Sequence, residues 1–221
     1  MLDEDKDSQV PEADKSIRLA FTICFTICFL AMCITTIIVT ASDPTDPTIA
    51  LERLAKLARS NGMANLDFNA NDYFFHCDIC DTHVLKNTKH CQRCNRCSYE
   101  FDHHCVWVSN DIGLHNYAPF IRMLIAVFLT ISIQLAFCAY TLSFLDSQLG
   151  EADDQFEIGL MTKYSMKVLT LVTLVVTVVL FLMDSYLLIF HIYLMCKNTS
   201  TYKHIRRQQK QKRKSRVIKE V

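Results

Sequence analysis

Glycine is scarce in this chain of 221 residues: there are only four, so no glycine-rich linker separates its parts and each glycine has positional weight. Net charge is absent as well, because 23 Lys and Arg balance 23 Asp and Glu, and the sum points to no class of partner. The more telling absence is of charge in three long runs. Leu19 to Ala41 is 23 residues without a formal charge, Met123 to Leu145 is another 23, and Val168 to Cys196 is 29 broken only by Asp184. Each exceeds the roughly 20 residues that a helix needs to cross a bilayer. The first run is far longer than the about 7 to 15 apolar residues of a cleaved signal, and the flank before it is acidic. Three such runs exclude an ordinary soluble domain of this length.

The charges that remain are partitioned. Before the first run Lys6, Lys15 and Arg18 face six acids, and between the second and third only Lys163 and Lys167 accompany several acids. Residues 42–118 carry seven Lys and Arg, and 197–221 carry ten. The positive-inside rule places those two segments in the cytosol and the N-terminus on the lumenal or outer side. The expected order is an acidic tail (1–18), a span (19–41), a cytosolic linker with an amphipathic helix (42–75), a cysteine-rich domain (76–120), a span (121–146), a lumenal loop (147–167), a span (168–196) and a basic cytosolic tail (197–221). The fold class is a mainly α membrane protein with three spans and a small cytosolic cysteine-rich domain of irregular or short β-hairpin structure. The chain shows no internal repeat by inspection. The tail segment KHIRRQQKQKRK reads as disordered, facing either anionic lipid or solvent; nucleic acid is not an expected partner. Asp184 and His191, seven apart on one face of the third span, are either functional or paired with a neighbouring helix. The sequon Asn198-Thr199-Ser200 is expected to stay unmodified in the cytosol.

Asp46-Pro47 followed by TIALERLAKLARSNG reads as a capped helix: an Asp cap, Pro at the first position, apolar Leu51, Leu54, Leu57 and Ala58, and Asn61-Gly62 as the stop. It lies along the membrane surface or packs on the cysteine-rich domain.

That domain carries the strongest signal. Six of the eleven cysteines fall between residues 77 and 105, on the reducing side, where clustered Cys and His read as metal or catalysis rather than disulfides. Cys77-x2-Cys80, Cys91-x2-Cys94 and Cys97 repeat the spacing that lets two thiolates reach one tetrahedral zinc. With so few hydrophobic residues nearby, metal must supply much of the folding free energy. Two closed sites need eight ligands, and Cys77, Cys80, His90, Cys91, Cys94, Cys97, His103, His104, Cys105 and Asp111 offer a surplus of two. Cys105 therefore either completes a site or is free to react. In an extended strand His103 and Cys105 share a face while His104 points away, which is a nucleophile and base arrangement for acyl chemistry. The same alternation leaves Asp102 on the wrong side of His103 unless the chain bends.

From about residue 40 to 146 these residues resemble the DHHC-type palmitoyltransferases, through Asp102-His103-His104-Cys105 with Trp107, Asn110, Gly113, Asn116 and Phe120. The resemblance implies one zinc on Cys77, Cys80, His90 and Cys97, and a second on Cys91, Cys94, His104 and the Asp111 position. It implies Cys105 as nucleophile, His103 as its base and Asp102 as the group orienting His103. The implied reaction passes a long-chain acyl group from acyl-CoA through acyl-Cys105 to cytosolic cysteines of membrane-associated proteins, in the membrane of the endoplasmic reticulum or Golgi. Lys86, Lys89, Arg93 and Arg96 are candidates for the CoA phosphates.

The chain departs from the family pattern in several places. Asp111 stands where the family has a zinc cysteine, Asp43-Pro44-Thr45 where Asp-Pro-Gly is usual, and Val84-Leu85-Lys86-Asn87 where a basic-Pro-x-Arg run is usual. Ser200-Thr201-Tyr202-Lys203 replaces Thr-Thr-x-Glu, and one span instead of two precedes the zinc domain, which removes a wall of the expected lipid cavity or means that the N-terminus is incomplete. These departures keep a second expectation open, a zinc-bound membrane scaffold with weak or no activity.

Overall fold

The computed structural model describes residues 12–63, 75–150 and 157–219; the expected N-terminal tail, part of the linker and part of the loop after the second span lie outside them. Five helices and six strands follow in the order α1 (Glu12–Ala41), α2 (Pro47–Ser60), β1 (Phe75–Cys77), β2 (Thr82–Val84), β3 (Lys89–Cys91), β4 (Arg96–Ser98), β5 (His103–Cys105), β6 (Asn110–Ile112), α3 (Tyr117–Gly150), α4 (Glu157–Cys196) and α5 (Thr201–Lys219). Within α1, α3 and α4, residues 13–41, 117–147 and 161–196 are long and apolar enough to cross a membrane, which makes this an integral membrane protein. The helices outrun the uncharged segments because a charged residue ends a membrane-suited run without ending a helix.

The chain forms two compact units. One contains residues 1–33 and 124–187 and is built from apolar helix. There Phe21 meets Phe137 edge to face at 5.6 Å, Phe128 meets Phe181 at 5.3 Å, and the Arg18 guanidinium lies 4.4 Å from the centre of the Phe144 ring. The other contains residues 34–123 and 188–221, and it carries all six strands.

Those strands make three antiparallel hairpins, β1 with β2, β3 with β4 and β5 with β6. Contrary to the expectation of no repeat, the hairpins recur every 14 residues. Phe75 pairs with Val84, Lys89 with Ser98 and His103 with Ile112, each hairpin the previous one moved along by the same step. Each turn ends on a residue in the left-handed region, Asp81, Asn95 or Ser109, with φ of 49°, 49° and 48°. Asp and Asn tolerate that conformation at low cost, which is how a chain with four glycines makes three tight turns. Only the His-Cys pair at 76-77, 90-91 and 104-105 is identical in all three copies. The rest of the repeat is backbone shape, which residue identity does not reveal.

Asp46 joins α2 to this unit. Fully buried, it caps α2 through the Thr48 amide (2.9 Å), and its other oxygen accepts from the Leu85 amide (2.8 Å) and the Thr88 hydroxyl (2.5 Å). Of the two placements left open for α2, the helix packs on the hairpin unit, and it does so with the side opposite its leucines. Thr48, Ile49, Glu52, Ala55 and Ala58 are buried, while Leu51, Leu54 and Leu57 are at least half exposed. Glu52 decides this, because its carboxylate takes the His83 backbone N–H at 2.5 Å and turns that side of the helix inward. Ile49 then packs with Val84 and Cys97. The tail is also not the expected disordered segment: α5 is a helix, begun by Ser200, whose hydroxyl accepts the Lys203 amide at 3.2 Å, and continued by Lys, Arg and Gln, all good helix formers.

Gly113 lies where β6 leads into α3, and a Cβ added there would sit 2.5 Å from the Tyr99 carbonyl oxygen. That carbonyl is already fixed by the Leu114 amide at 3.1 Å. Gly113→Ala should therefore destabilise the hairpin unit by about 1–3 kcal/mol. A thermal unfolding midpoint equal to wild type would show that the backbone there gives way freely.

Candidate active site and metal centres

Hairpins in series build the two metal centres. The turn of each supplies two ligands and the strands of the next supply the other two, so Cys77 and Cys80 meet His90 and Cys97, and Cys91 and Cys94 meet His104 and Asp111. The ligand atoms of each set lie within 4.8 Å of one another. The two sets repeat in detail. His90 Nδ1 is 3.8 Å from Cys77 Sγ and 3.3 Å from Cys80 Sγ, and His104 Nδ1 is 3.8 Å from Cys91 Sγ and 3.3 Å from Cys94 Sγ. Three sulfurs with one imidazole, and two sulfurs with one imidazole and one carboxylate, are tetrahedral zinc donor sets.

Asp111 holds the position that Cys97 holds in the first set. Its Oδ1 is 2.8 Å from His104 Nδ1 and 3.2 Å from Cys94 Sγ, and its Oδ2 accepts from the Ser98 hydroxyl at 2.8 Å. One oxygen thus faces the metal position while the other is held from behind. Burial pushes the Asp111 carboxyl up, but bonds from Cys91, His104, Ser98 and Cys94 outweigh it and hold it below its ordinary value. Burial and the nearby Asp111 push the Cys94 thiol up to about 11, a proton that a bound metal must displace. The residues fit zinc at both sites.

Next to these centres stand the remaining candidates. Asp102 lies just before β5, in a stretch bent by Glu100, whose φ is +47°. This bend removes the obstacle set by strand alternation. Asp102 Oδ2 is 2.8 Å from His103 Nδ1, and Asp102 Oδ1 accepts the Thr201 backbone N–H at 2.8 Å. The Tyr202 amide donates to the Asp102 carbonyl at 3.1 Å, so the first turn of α5 fixes Asp102. Lys203, where the family motif has an acid, instead reaches Glu100 at 3.6 Å.

His103 is bonded to Asp102 at 2.8 Å and acts electrostatically on Cys105 as well. Burial lowers the His103 imidazole, but these two partners reverse that and bring it to about 9. Burial raises the Cys105 thiol, yet His103 and the backbone amides of Val108 and Trp107 carry it below its ordinary value. Asp102 follows the same pattern, raised by burial and lowered further by His103 and Thr201. Asp102, His103 and Cys105 thus support one another: the carboxyl and the thiol are each drawn towards the anion and the imidazole towards the cation. Cys105 itself is only 6% exposed.

One residue that the sequence leaves open between function and packing belongs here. His191, on α4 and fully buried, has its ring 5.6 Å from that of His103 and 5.0 Å from that of Phe120, and its Nδ1 meets the Tyr117 hydroxyl at 3.2 Å. A histidine inside an apolar run was its only signal. Asp184 belongs to the other unit. Among the basic candidates, Arg96 is engaged with Asp43 at 3.3 Å and with Asn110, and Lys89 faces the Tyr202 ring at 5.8 Å.

Three apolar helices and two four-ligand centres built from zinc-knuckle hairpins define an integral membrane protein with a zinc-finger domain. The family model for DHHC palmitoyltransferase matches residues 70–208, and the chain belongs to that family. Probable protein S-acyltransferase 2 of Arabidopsis thaliana is 32% identical over 154 residues, which cover 68% of this chain and 35% of the relative. Probable protein S-acyltransferase 7 of the same plant is 31% identical over 132 residues, 59% of this chain and 28% of the relative. Palmitoyltransferase ZDHHC4 of Bos taurus is 50% identical over 48 residues, 22% of this chain and 14% of the relative. The matched region thus spans about a third or less of each of these relatives.

Proposed function

We propose that this protein is a protein S-acyltransferase that moves a long-chain acyl group from acyl-CoA to cysteine thiols of membrane-associated proteins. The observation that carries this reading is the set Asp102, His103, Cys105 beside two centres whose eight ligands include none of the three. Cys105 Sγ attacks the thioester carbonyl, the bond from that carbon to the CoA sulfur breaks, and His103 returns the proton to the departing thiolate. In the second half His103 takes the proton of a substrate cysteine, whose sulfur attacks acyl-Cys105 and restores the Cys105 thiolate. Thioester is exchanged for thioester throughout. Bound zinc supplies the cross-links that hold the hairpins; Asp102, fixed by α5, keeps His103 Nδ1 engaged so that the other ring nitrogen serves Cys105.

The turn after Cys105 supports a lipid-facing site, since Val106 is 68% and Trp107 80% exposed, apolar surface that a membrane or an acyl chain would cover. The charge partition supports a cytosolic hairpin unit and C-terminus, and chemistry on cytosolic cysteines fits an endomembrane such as the endoplasmic reticulum or Golgi. Lys86 and Arg93 are the basic groups we assign to CoA phosphates.

Asp111 favours a second reading, a zinc-bound scaffold in which Cys105 takes over as ligand. One experiment separates the two. Purified protein is incubated with an alkyne palmitoyl-CoA, and wild type should carry a hydroxylamine-sensitive label that Cys105→Ala lacks while both hold two zinc per chain. Loss of one zinc from Cys105→Ala, with no label on wild type, would establish the scaffold.

A further inference from the structure

The 14-residue repeat gives Cys105 a structural origin. Moved along by one step, Cys77 falls on Cys91 and then on Cys105, and Cys80 falls on Cys94 and then on Val108. The turn of the third hairpin is therefore a zinc knuckle with its second cysteine replaced by valine. The series also ends correctly at both sides. His76 and His83, ring centres 5.0 Å apart, hold the strand positions of the first hairpin, but a step back from Cys77 and Cys80 are Met63 and Leu66, which offer no ligand pair. A step forward from His104 and Asp111 are Ala118 and Ile125, and α3 begins at Tyr117 where a fourth hairpin would start. Three hairpins make two sites, and one turn is left over.

We propose that Cys105 occupies the first position of a disarmed third zinc knuckle, and that Val108 is the positioning residue that withholds metal from it. The backbone of the knuckle is kept, with the same strand register and the same left-handed residue closing the turn, but position 108 offers no second thiolate. A lone sulfur beside one histidine is a poor zinc site. What remains is a thiol beside His103 that no metal claims, left open to a carbonyl carbon. Buried and apolar, at 4% exposure, Val108 fills the second ligand's place without competing for the sulfur. This deepens the acyltransferase reading, on which the role of the freed thiol rests, while the metal-withholding role is read from zinc alone.

The test is a zinc count on full-length protein in detergent, after equilibration with buffered zinc and desalting. Wild type should hold two zinc per chain and Val108→Cys three, the third held by Cys105, His103 and the thiolate introduced at position 108. The double variant Val108→Cys, Cys105→Ala should return to two. Cobalt in place of zinc should show stronger sulfur-to-metal absorption in Val108→Cys than in wild type, and maleimide should reach Cys105 at least tenfold more slowly when zinc is present. A count of two in Val108→Cys with Cys105 as reactive as in wild type overturns the proposal, as does a third zinc that survives Cys105→Ala. Should Val108→Cys fall below two through damage to the fold, Val108→His carries a donor at the same position and is read in the same way; a count of two or fewer in both variants also overturns it. Failure of wild type to take up acyl label would sink the acyltransferase reading and leave this count untouched.

Discussion

His103→Ala is expected to slow acyl loading of Cys105 by about 10² to 10⁴, with two zinc per chain retained. The size of the effect follows from the position of His103 beside Asp102 and Cys105. It is bonded to Asp102 and acts electrostatically on Cys105, so its removal leaves a buried thiol with burial pushing its pKa up and only the Trp107 and Val108 amides opposing it. Less thiolate attacks, and nothing is placed to return a proton to CoA. His103→Gln can still accept from or donate to one neighbour but cannot carry a proton between them, and it should be nearly as slow. The measurement is single-turnover label uptake together with alkylation of Cys105 by iodoacetamide, which reads the thiolate without acyl-CoA. Loading within tenfold of wild type in His103→Ala would mean that Cys105 is activated by something other than this histidine.

Metal removal should have the other large effect. The apolar cluster at the first centre consists of Ile49, Val84 and Cys97, with the ligands Cys77 and Cys80 packed against it. Three such side chains stabilise by only a few kcal/mol, against an apparent value of about 10–16 kcal/mol for a structural zinc. Stripping both ions should therefore unfold the hairpins and open residues 75–116 to protease, while the long helices, whose backbone bonds are internal, stay formed. The two centres should not empty together. One has three sulfurs and an imidazole, whereas in the other Asp111 supplies a harder oxygen in place of a sulfur. A stepwise chelator titration should release one zinc per chain at a chelator strength at least tenfold below the second, and Asp111→Cys should bring the two steps together. Asp111→Ala should hold a single zinc. Release of both ions in one step from wild type, unchanged in Asp111→Cys, would show that the carboxylate binds as well as the thiolate, with Ser98 at its back supplying the difference.

Much of this was legible because the relevant physics is local. The spans follow from the absence of charge over lengths set by the bilayer. The α2 limits follow from Asp46, Pro47 and Asn61, whose capping chemistry acts within one turn. The pairing of Cys77 with Cys80 and of Cys91 with Cys94 follows from a spacing that admits little else. What went astray was in each case set from a distance. The packed side of α2 was chosen by Glu52 reaching the His83 backbone, 31 positions away, against the plain reading of the leucines. The helix α5 is begun locally by Ser200, but its docking depends on Asp102, 99 positions earlier, which accepts the Thr201 amide. His191 was one polar residue in an apolar run until its ring met that of His103.

The stretch around Cys105 shows the same division. Sequence alone determined the inventory: ten possible ligands for eight places, His103 and Cys105 on one face of a strand, His104 on the other. It could not choose between Cys105 as ligand and Cys105 as free thiol, because that choice depends on which hairpin lies against which, and spacing is silent about contacts between hairpins. The hairpin order in the tertiary structure supports the free thiol. Each hairpin lends its turn to the strands of the next, the series stops at the third, and the last turn has no partner to share a metal with. Asp111 is thereby placed among Cys91, Cys94 and His104, while the bend at Glu100 and the first turn of α5 bring Asp102 to His103.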